Sequence, residues 1–136
     1  IKQLLQGKYP AAPKFSVIIS HVKDIAKAHV LSLNNKKAEG RRLIVGSETK
    51  SILELSKIMA ENIPSHSKKL PKKELPNFMV KLISYLDSSA KNLVPDLGLK
   101  METDTKYAEE ILQMKFIEPE VSVIDAAKSV IRLNLA

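Results

Sequence analysis

The sequence contains no cysteine and no tryptophan. Without thiols there are no disulfides, no thiolate metal sites and no cysteine nucleophile, and a reducing compartment fits. Aromatics make up only 4% of the 136 residues, so aliphatic side chains must supply most of a core. Four glycines are scattered along the chain, and no glycine-rich loop that could cradle a phosphate forms among them. No apolar run reaches bilayer length and no secretory leader is present, so a cytoplasmic location is the default expectation. A stretch running from the apolar "FSVII" into "SHVKDIAKAHVLSL" has the strand-to-helix joint at which active sites often lie, yet no nucleophile–base pair accompanies it.

What is present suits one domain of modest core: 44% apolar and 27% charged residues. The net charge of +7 invites a nucleic-acid reading. However, Lys68, Lys69, Lys72 and Lys73 cluster around Pro71 without interleaved aromatics, zinc ligands or a glycine turn. A solvated basic surface is the expectation, with phosphate binding as the alternative and nucleic acid disfavoured. An acidic partner segment outside this chain would also balance the charge.

Residues 1–6 read as the end of a helix closed by Gly7, and the prolines at 10 and 13 forbid helix after it. Residues 15–19 are apolar and β-branched, the pattern of a strand buried on both faces in a parallel sheet. Asp24 can cap a helix over 25–34, with Ile25, His29 and Leu33 on the face opposite Lys23 and Lys27. Residues 42–45 repeat the buried-strand pattern. "SILE" at 51–54 has the form of a capping box and opens a helix with Ile52, Leu55, Ile58 and Met59 inward, ended by Pro64. Residues 68–76 read as extended. Pro76 then suits the first turn of a helix burying Phe78, Met79, Leu82, Ile83 and Leu86. Asp87 can cap a short helix before Pro95, and 97–104 holds a short strand. Asp104 or Thr105 caps a helix carrying Tyr107, Ala108, Ile111 and Leu112. "SVID" at 122–125 is a second capping-box pattern, with Val123, Ala126, Ala127, Val130 and Ile131 inward. The fold class is α/β and helix-rich, and two buried-type strands require sheet neighbours the chain does not obviously supply.

The segment from Phe15 to His29, followed by "GRRLIVGSE", resembles the C-terminal part of extended short-chain dehydrogenases/reductases of the epimerase/dehydratase superfamily. Within it the sequence is most similar to the dihydroflavonol 4-reductase and NADPH-dependent aldehyde reductase group. Val22, Asp24, Ile25, Ala26, Ala28 and His29 match one motif of that group. Gly40, Arg42, Leu43, Ile44 and Val45 match a second, residues 68–76 look like a third, and 104–108 echo a fourth. The resemblance implies the helix-rich C-terminal portion of a Rossmann-type doubly wound fold, with about two buried parallel strands and a substrate-binding helical lobe over residues 1–136. It also implies that the cofactor-binding N-terminal half is absent. The family's "G-x-x-G-x-x-G" loop and its "Y-x-x-x-K" pair are not found: Tyr9, Tyr85 and Tyr107 are followed four residues on by Pro13, Ser89 and Ile111. NADP or NAD would thus bind the parent protein and not this chain alone. The family's "L-G-[FW]" turn is Leu112-Gln113-Met114 here, which suggests an altered turn, and Lys23 stands where arginine is usual.

Site residues implied by the resemblance are substrate-binding Tyr9, Pro10 and Phe15, in a region that lines or covers the pocket of related reductases. To these we add His21, at the end of the first strand, beyond which ligands bind in such sheets. Core or loop packing is the competing reading for each. No catalytic, cofactor or metal residue is assigned. His29 reads as a structural histidine on the buried face, and His66 as solvated. Asp24 reads as a cap, and Arg41 and Arg42 as a surface turn. The expected function is the substrate-binding part of an NAD(P)H-dependent oxidoreductase reducing a small carbonyl compound, inactive alone. The alternative is a non-enzymatic interaction module using the basic surface or the exposed sheet edge. Uncovered strands forfeit about 1.5–3 kcal/mol per large side chain, against a total stability of about 5–15 kcal/mol. Self-association or strand exchange is therefore expected as well.

Overall fold

The computed structural model describes residues 1–85, 91–92, 94–99 and 102–136. Helix α1 (Lys2–Leu5) is closed by Gly7, whose φ of 71° is a conformation other residues adopt only with strain. The proline-bearing segment after it is extended. Its β1 (Ala12–Pro13) runs parallel to β4 (Glu74–Leu75), and β2 (Ser16–Ile18) runs antiparallel to β3 (Thr49–Ser51). The α-helices that follow are α2 (Val22–Ser32), α3 (Ile52–Asn62), α4 (Asn77–Ile83), α5 (Lys106–Leu112) and α6 (Pro119–Arg132), with short 3-10 turns at Pro64–His66 and Val94–Asp96. The architecture is α/β and helix-rich, and no described helix is long and apolar enough to cross a membrane.

The main core lies between α1, α3 and α6. Leu4, Leu5, Leu55, Met59, Val123 and Ala127 meet there, all buried. Helix α3 presents the expected stripe because its first turn is fixed: the Ser51 hydroxyl accepts the Glu54 N–H at 3.2 Å, and the Glu54 carboxylate accepts the Ser51 N–H at 2.7 Å. The Ser51 hydroxyl also donates to the Glu54 carboxylate, at 2.7 Å, and this bond first and the Ser51 N–H bond second hold the Glu54 carboxyl below its ordinary pKa. The folded state therefore binds this proton less readily than the unfolded chain. Its stabilisation is complete above the unfolded pKa and is lost as pH falls through the folded one. Ser51→Ala is expected to cost about 1 kcal/mol in denaturant melts at pH 7. The advantage of wild type over Glu54→Gln should shrink on acidification below the carboxylate range.

The predicted strand at 15–19 is present in part, but it is neither parallel nor buried on both faces. Ile18 is 37% exposed, and β2's neighbour is the segment that leads into the α3 cap. Parallel pairing occurs instead between the two proline-flanked segments, where each strand is only two residues long. The second predicted strand, 42–45, is not a strand: among the described residues the amides of 42–46 find no backbone acceptor. Leu43 and Val45 nonetheless pack against a second, smaller core of Ala28, Leu112 and Met114.

Helix α2 begins earlier than predicted because His21, not Asp24, is its cap. The helix is rolled so that Asp24 and Ala28 face inward, which leaves Ile25, His29 and Leu33 outside. On α4 only Val80 is buried; Phe78, Met79, Leu82 and Ile83 face solvent, the reverse of the expected stripe. Leu86 and Asp87 lie outside the described residues, as do Lys100 and Met101 of the strand expected at 97–104. The described part of that segment contains no strand. Asp104 accepts the Lys106 N–H at 3.0 Å at the start of α5, where Ala108 and Leu112 are buried and Tyr107 is exposed. Helix α6 starts at Pro119, so "SVID" is helix interior: the Ser122 hydroxyl donates to the Glu118 carbonyl at 3.1 Å. Val123 and Ala127 face the core as expected, whereas Ala126 is exposed.

The turn after α5 keeps its left-handed cap despite lacking glycine: Gln113 has φ 49° and ψ 45°. A side chain in that region costs about 1–2 kcal/mol, part of which glycine returns as unfolded-state entropy. Gln113→Gly is therefore expected to stabilise the protein by about 1 kcal/mol in a denaturant titration.

Candidate functional site: an apolar groove beside helix α1

Tyr9 follows the α1 turn and folds back on it, its hydroxyl donating to the Gln3 side-chain carbonyl. The result is a groove of about 390 Å³ whose walls include Gln3, Leu4, Tyr9, Pro13, Phe15 and Ile52. Its walls are mainly apolar, with the Tyr9–Gln3 pair as a polar handle and Lys2 at its border. The size and chemistry suit a small, mostly apolar molecule carrying one polar group. Of the four residues singled out from the sequence, Tyr9 and Phe15 meet in this groove. Pro10 is exposed and outside its lining, where Pro13 stands instead.

His21 lies elsewhere and is buried. Its Nδ1 accepts the Lys23 N–H at 3.1 Å, which caps α2, and its Nε2 stands 3.3 Å from the Asp125 carboxylate on α6. With Nδ1 accepting, Nε2 is the ring nitrogen placed to donate to the Asp125 carboxylate. The residue joins α2 to α6. Nothing adjacent in sequence signals this pairing, because Asp125 is 104 residues away.

Asp24 is buried, and its carboxylate accepts the Ile117 N–H at 2.7 Å, which anchors the chain just before α6. His29 is exposed, with Nδ1 2.7 Å from the Ile25 carbonyl. It borders a second groove, of about 360 Å³, together with Ala28, Leu33, Arg41, Leu43 and Val45. His66 is half-buried in a short turn, with Ser65 Oγ 3.0 Å from its Nδ1. Arg41 and Arg42 are exposed. Among the described residues no group of three acidic or histidine side chains could hold a metal ion. Neither groove brings together a nucleophile, a base and an orienting group. The arrangement can bind and orient a ligand; the groups for bond-making are not assembled within it. Sequence reasoning missed Gln3, Pro13 and Ile52 as groove residues, because they come together only through the α1 turn and the β2–β3 pairing.

No protein-family model and no curated protein matches the sequence. Solved structures do, and they show the fold: the chain has the fold of one part of reductases, two of them solved with NADPH. Gre2 from Candida albicans matches with a TM-score of 0.68 at 20% identity, over 98% of this chain and 37% of that one. Yeast methylglyoxal/isovaleraldehyde reductase Gre2, solved with NADPH, matches at 0.65 and 20% identity, over 97% of this chain and 40% of its own. A reductase engineered to attenuate substrate inhibition in asymmetric catalysis matches at 0.65 and 23%, over 95% and 34%. The chain thus spans between 34% and 40% of the length of these proteins.

Proposed function

We propose that residues 1–136 are the C-terminal, substrate-side portion of an oxidoreductase that reduces a small aldehyde or ketone with NADPH or NADH. One observation carries the reading: nearly the whole chain follows the fold of part of such reductases, two of them solved with NADPH. Uncovered apolar surface on α2 supports it, since Val22, Val30 and Leu33 are each more than two-thirds exposed and call for a covering partner. That partner is the remainder of the same protein.

The residues present do not fit the cofactor. The chain offers no glycine-rich loop for a pyrophosphate and no tyrosine–lysine pair. No step through the cofactor is therefore assigned to these residues. Their contribution is positional: Phe15, Pro13 and Ile52 exclude water from an apolar substrate body, and the Tyr9–Gln3 pair orients its polar end. Pro10 and His21 act indirectly, Pro10 by stiffening the loop and His21 by fixing α2. Without the remainder, the exposed surface favours self-association.

Consumption of NADPH with a branched aldehyde tests the reading. Expressed with the coding sequence that precedes Ile1, the protein is expected to oxidise NADPH, and Phe15→Ala should raise KM at least several-fold with a smaller change in kcat. The 136-residue chain alone should show no turnover. A longer protein that neither binds nor oxidises a nicotinamide cofactor overturns the reading.

A further inference from the structure

We infer that the corner of the α1 groove formed by Lys2, Gln3 and Tyr9 selects aliphatic oxo acids: carbonyl compounds that carry a carboxylate at the end away from the reacting carbonyl. This rests on the reading of the groove as the substrate side of a reductase, and adds the chemistry of the substrate's polar end. Leu4 and Leu5 hold α1 in the core, which leaves Lys2 and Gln3 exposed at the groove. The Tyr9 hydroxyl donates to Oε1 of the Gln3 amide. That bond fixes which end of the amide is free. It is Nε2, whose N–H groups have no acceptor among the described residues. Lys2 lines the same groove, and among the described residues no carboxylate pairs with its ammonium. The tyrosine's one proton is spent on Gln3. The corner therefore offers unused N–H donors and a positive charge, and its acceptor oxygens are those already joined in the Tyr9–Gln3 bond.

A carboxylate is the common polar end that matches this set. It accepts only, it is negative, and its hydrogen bonds to an amide and an ammonium are charge-assisted. A hydroxyl or amide end accepts too, but it is neutral and brings protons of its own to a donor-rich corner. Because Lys2 and Gln3 are exposed, the carboxylate keeps part of its hydration while the aliphatic body lies against Leu4, Pro13, Phe15 and Ile52. None of these donors is the chain's amino group, so the set is the same when the coding sequence before Ile1 is included. In the reaction the carbonyl carbon gains a hydride from NADPH and its oxygen gains a proton from solvent. The products are a hydroxy acid and the oxidised cofactor, and the carboxylate is unchanged.

The test uses the longer protein and a matched pair of methyl ketones, 5-oxohexanoate and its apolar isostere 6-methylheptan-2-one. The acid is expected to be favoured about tenfold in kcat/KM at low salt, chiefly through KM, and the preference should shrink as salt is added. Lys2→Met and Gln3→Glu should each bring the ratio of the two kcat/KM values towards one, and Lys2→Arg should keep it. A structural role for either residue would lower both values together and leave the ratio in place. A second readout needs no turnover: 5-oxohexanoate should shift the nuclear magnetic resonance signal of the Gln3 side-chain amide, and the isostere should not. Turnover of both ketones without preference for the acid and without that shift overturns the inference and leaves the reductase reading standing. The shift without turnover of any carbonyl compound overturns the reductase reading and keeps the carboxylate site. Neither turnover nor shift overturns both.

Discussion

Met59→Ala is expected to lower the stability by about 3 kcal/mol, within the range for large-to-small changes in closed cores. Met59 has no solvent exposure and lies in α3, where Leu4 and Leu5 of α1 and Val123 and Ala127 of α6 are its fellow core residues. Truncation removes apolar contacts from three helices at once, and the tightly packed surroundings cannot close the cavity. Total stability in domains of this size is about 5–15 kcal/mol, so the loss is a large share of it. The guanidinium midpoint should fall with an unchanged slope, and the melting temperature should drop by about 10 °C. Leu33→Ala is the control: its side chain is 79% exposed, and the change should stay within about 0.5 kcal/mol. A loss below about 1 kcal/mol for Met59→Ala would mean that the α1–α3–α6 junction is not the core.

Asp24→Ala is expected to cost about 2–3 kcal/mol, the scale of a charge-assisted hydrogen bond lost with its partner left buried. The Asp24 carboxylate accepts the Ile117 N–H at 2.7 Å, and no other acceptor for that amide exists among the described residues. Through this bond α2 holds the chain as it turns into α6. Asp24→Asn keeps an acceptor oxygen in place and should cost roughly half as much. Hydrogen exchange separates the two: the Ile117 amide should lose protection in Asp24→Ala and keep most of it in Asp24→Asn. Equal losses in both variants would show that the carboxylate acts in some way other than through this amide.

The parts of the fold that are legible in the sequence are those fixed by neighbours along the chain. Ser51 and Glu54 sit three residues apart and satisfy one another, so their box, the α3 stripe and its end before Pro64 could all be read directly. Gly7 and Asp104 are similar cases. "SVID" fails although its residue types are right, because Pro119 already supplies the first turn of α6 and draws Ser122 inside. Asp24 fails as a cap for a tertiary reason: the Ile117 amide takes its carboxylate, and His21 caps the helix instead. The strands were the hardest elements to read. Apolar runs at 15–19 and 42–45 signal burial in a sheet, but among the described residues β2 pairs on one side only and 42–46 on neither. The stripe of α4 is likewise apolar and uncovered. Sequence pattern reports what a segment favours; whether it finds a strand neighbour is settled by tertiary placement.

The candidate site was half legible. Tyr9 and Phe15 were placed by the family resemblance and meet in one groove, whereas their companions Gln3 and Ile52 come from segments with no sequence link to them. His21 was singled out for its position at a strand end; β2 stops at Ile18, and His21 instead caps α2, its ring taken up by Lys23 and Asp125. At Gln113 the resemblance was a better guide than residue propensity: the left-handed turn persists where glycine is missing.

The most direct test of the incomplete-reductase account is to read the transcript upstream of the Ile1 codon. The account predicts an open frame that continues upstream and encodes a glycine-rich strand–turn–helix segment followed by a tyrosine and lysine four residues apart. An in-frame stop codon followed by an initiator methionine immediately before Ile1, or an upstream sequence with neither motif, would contradict it.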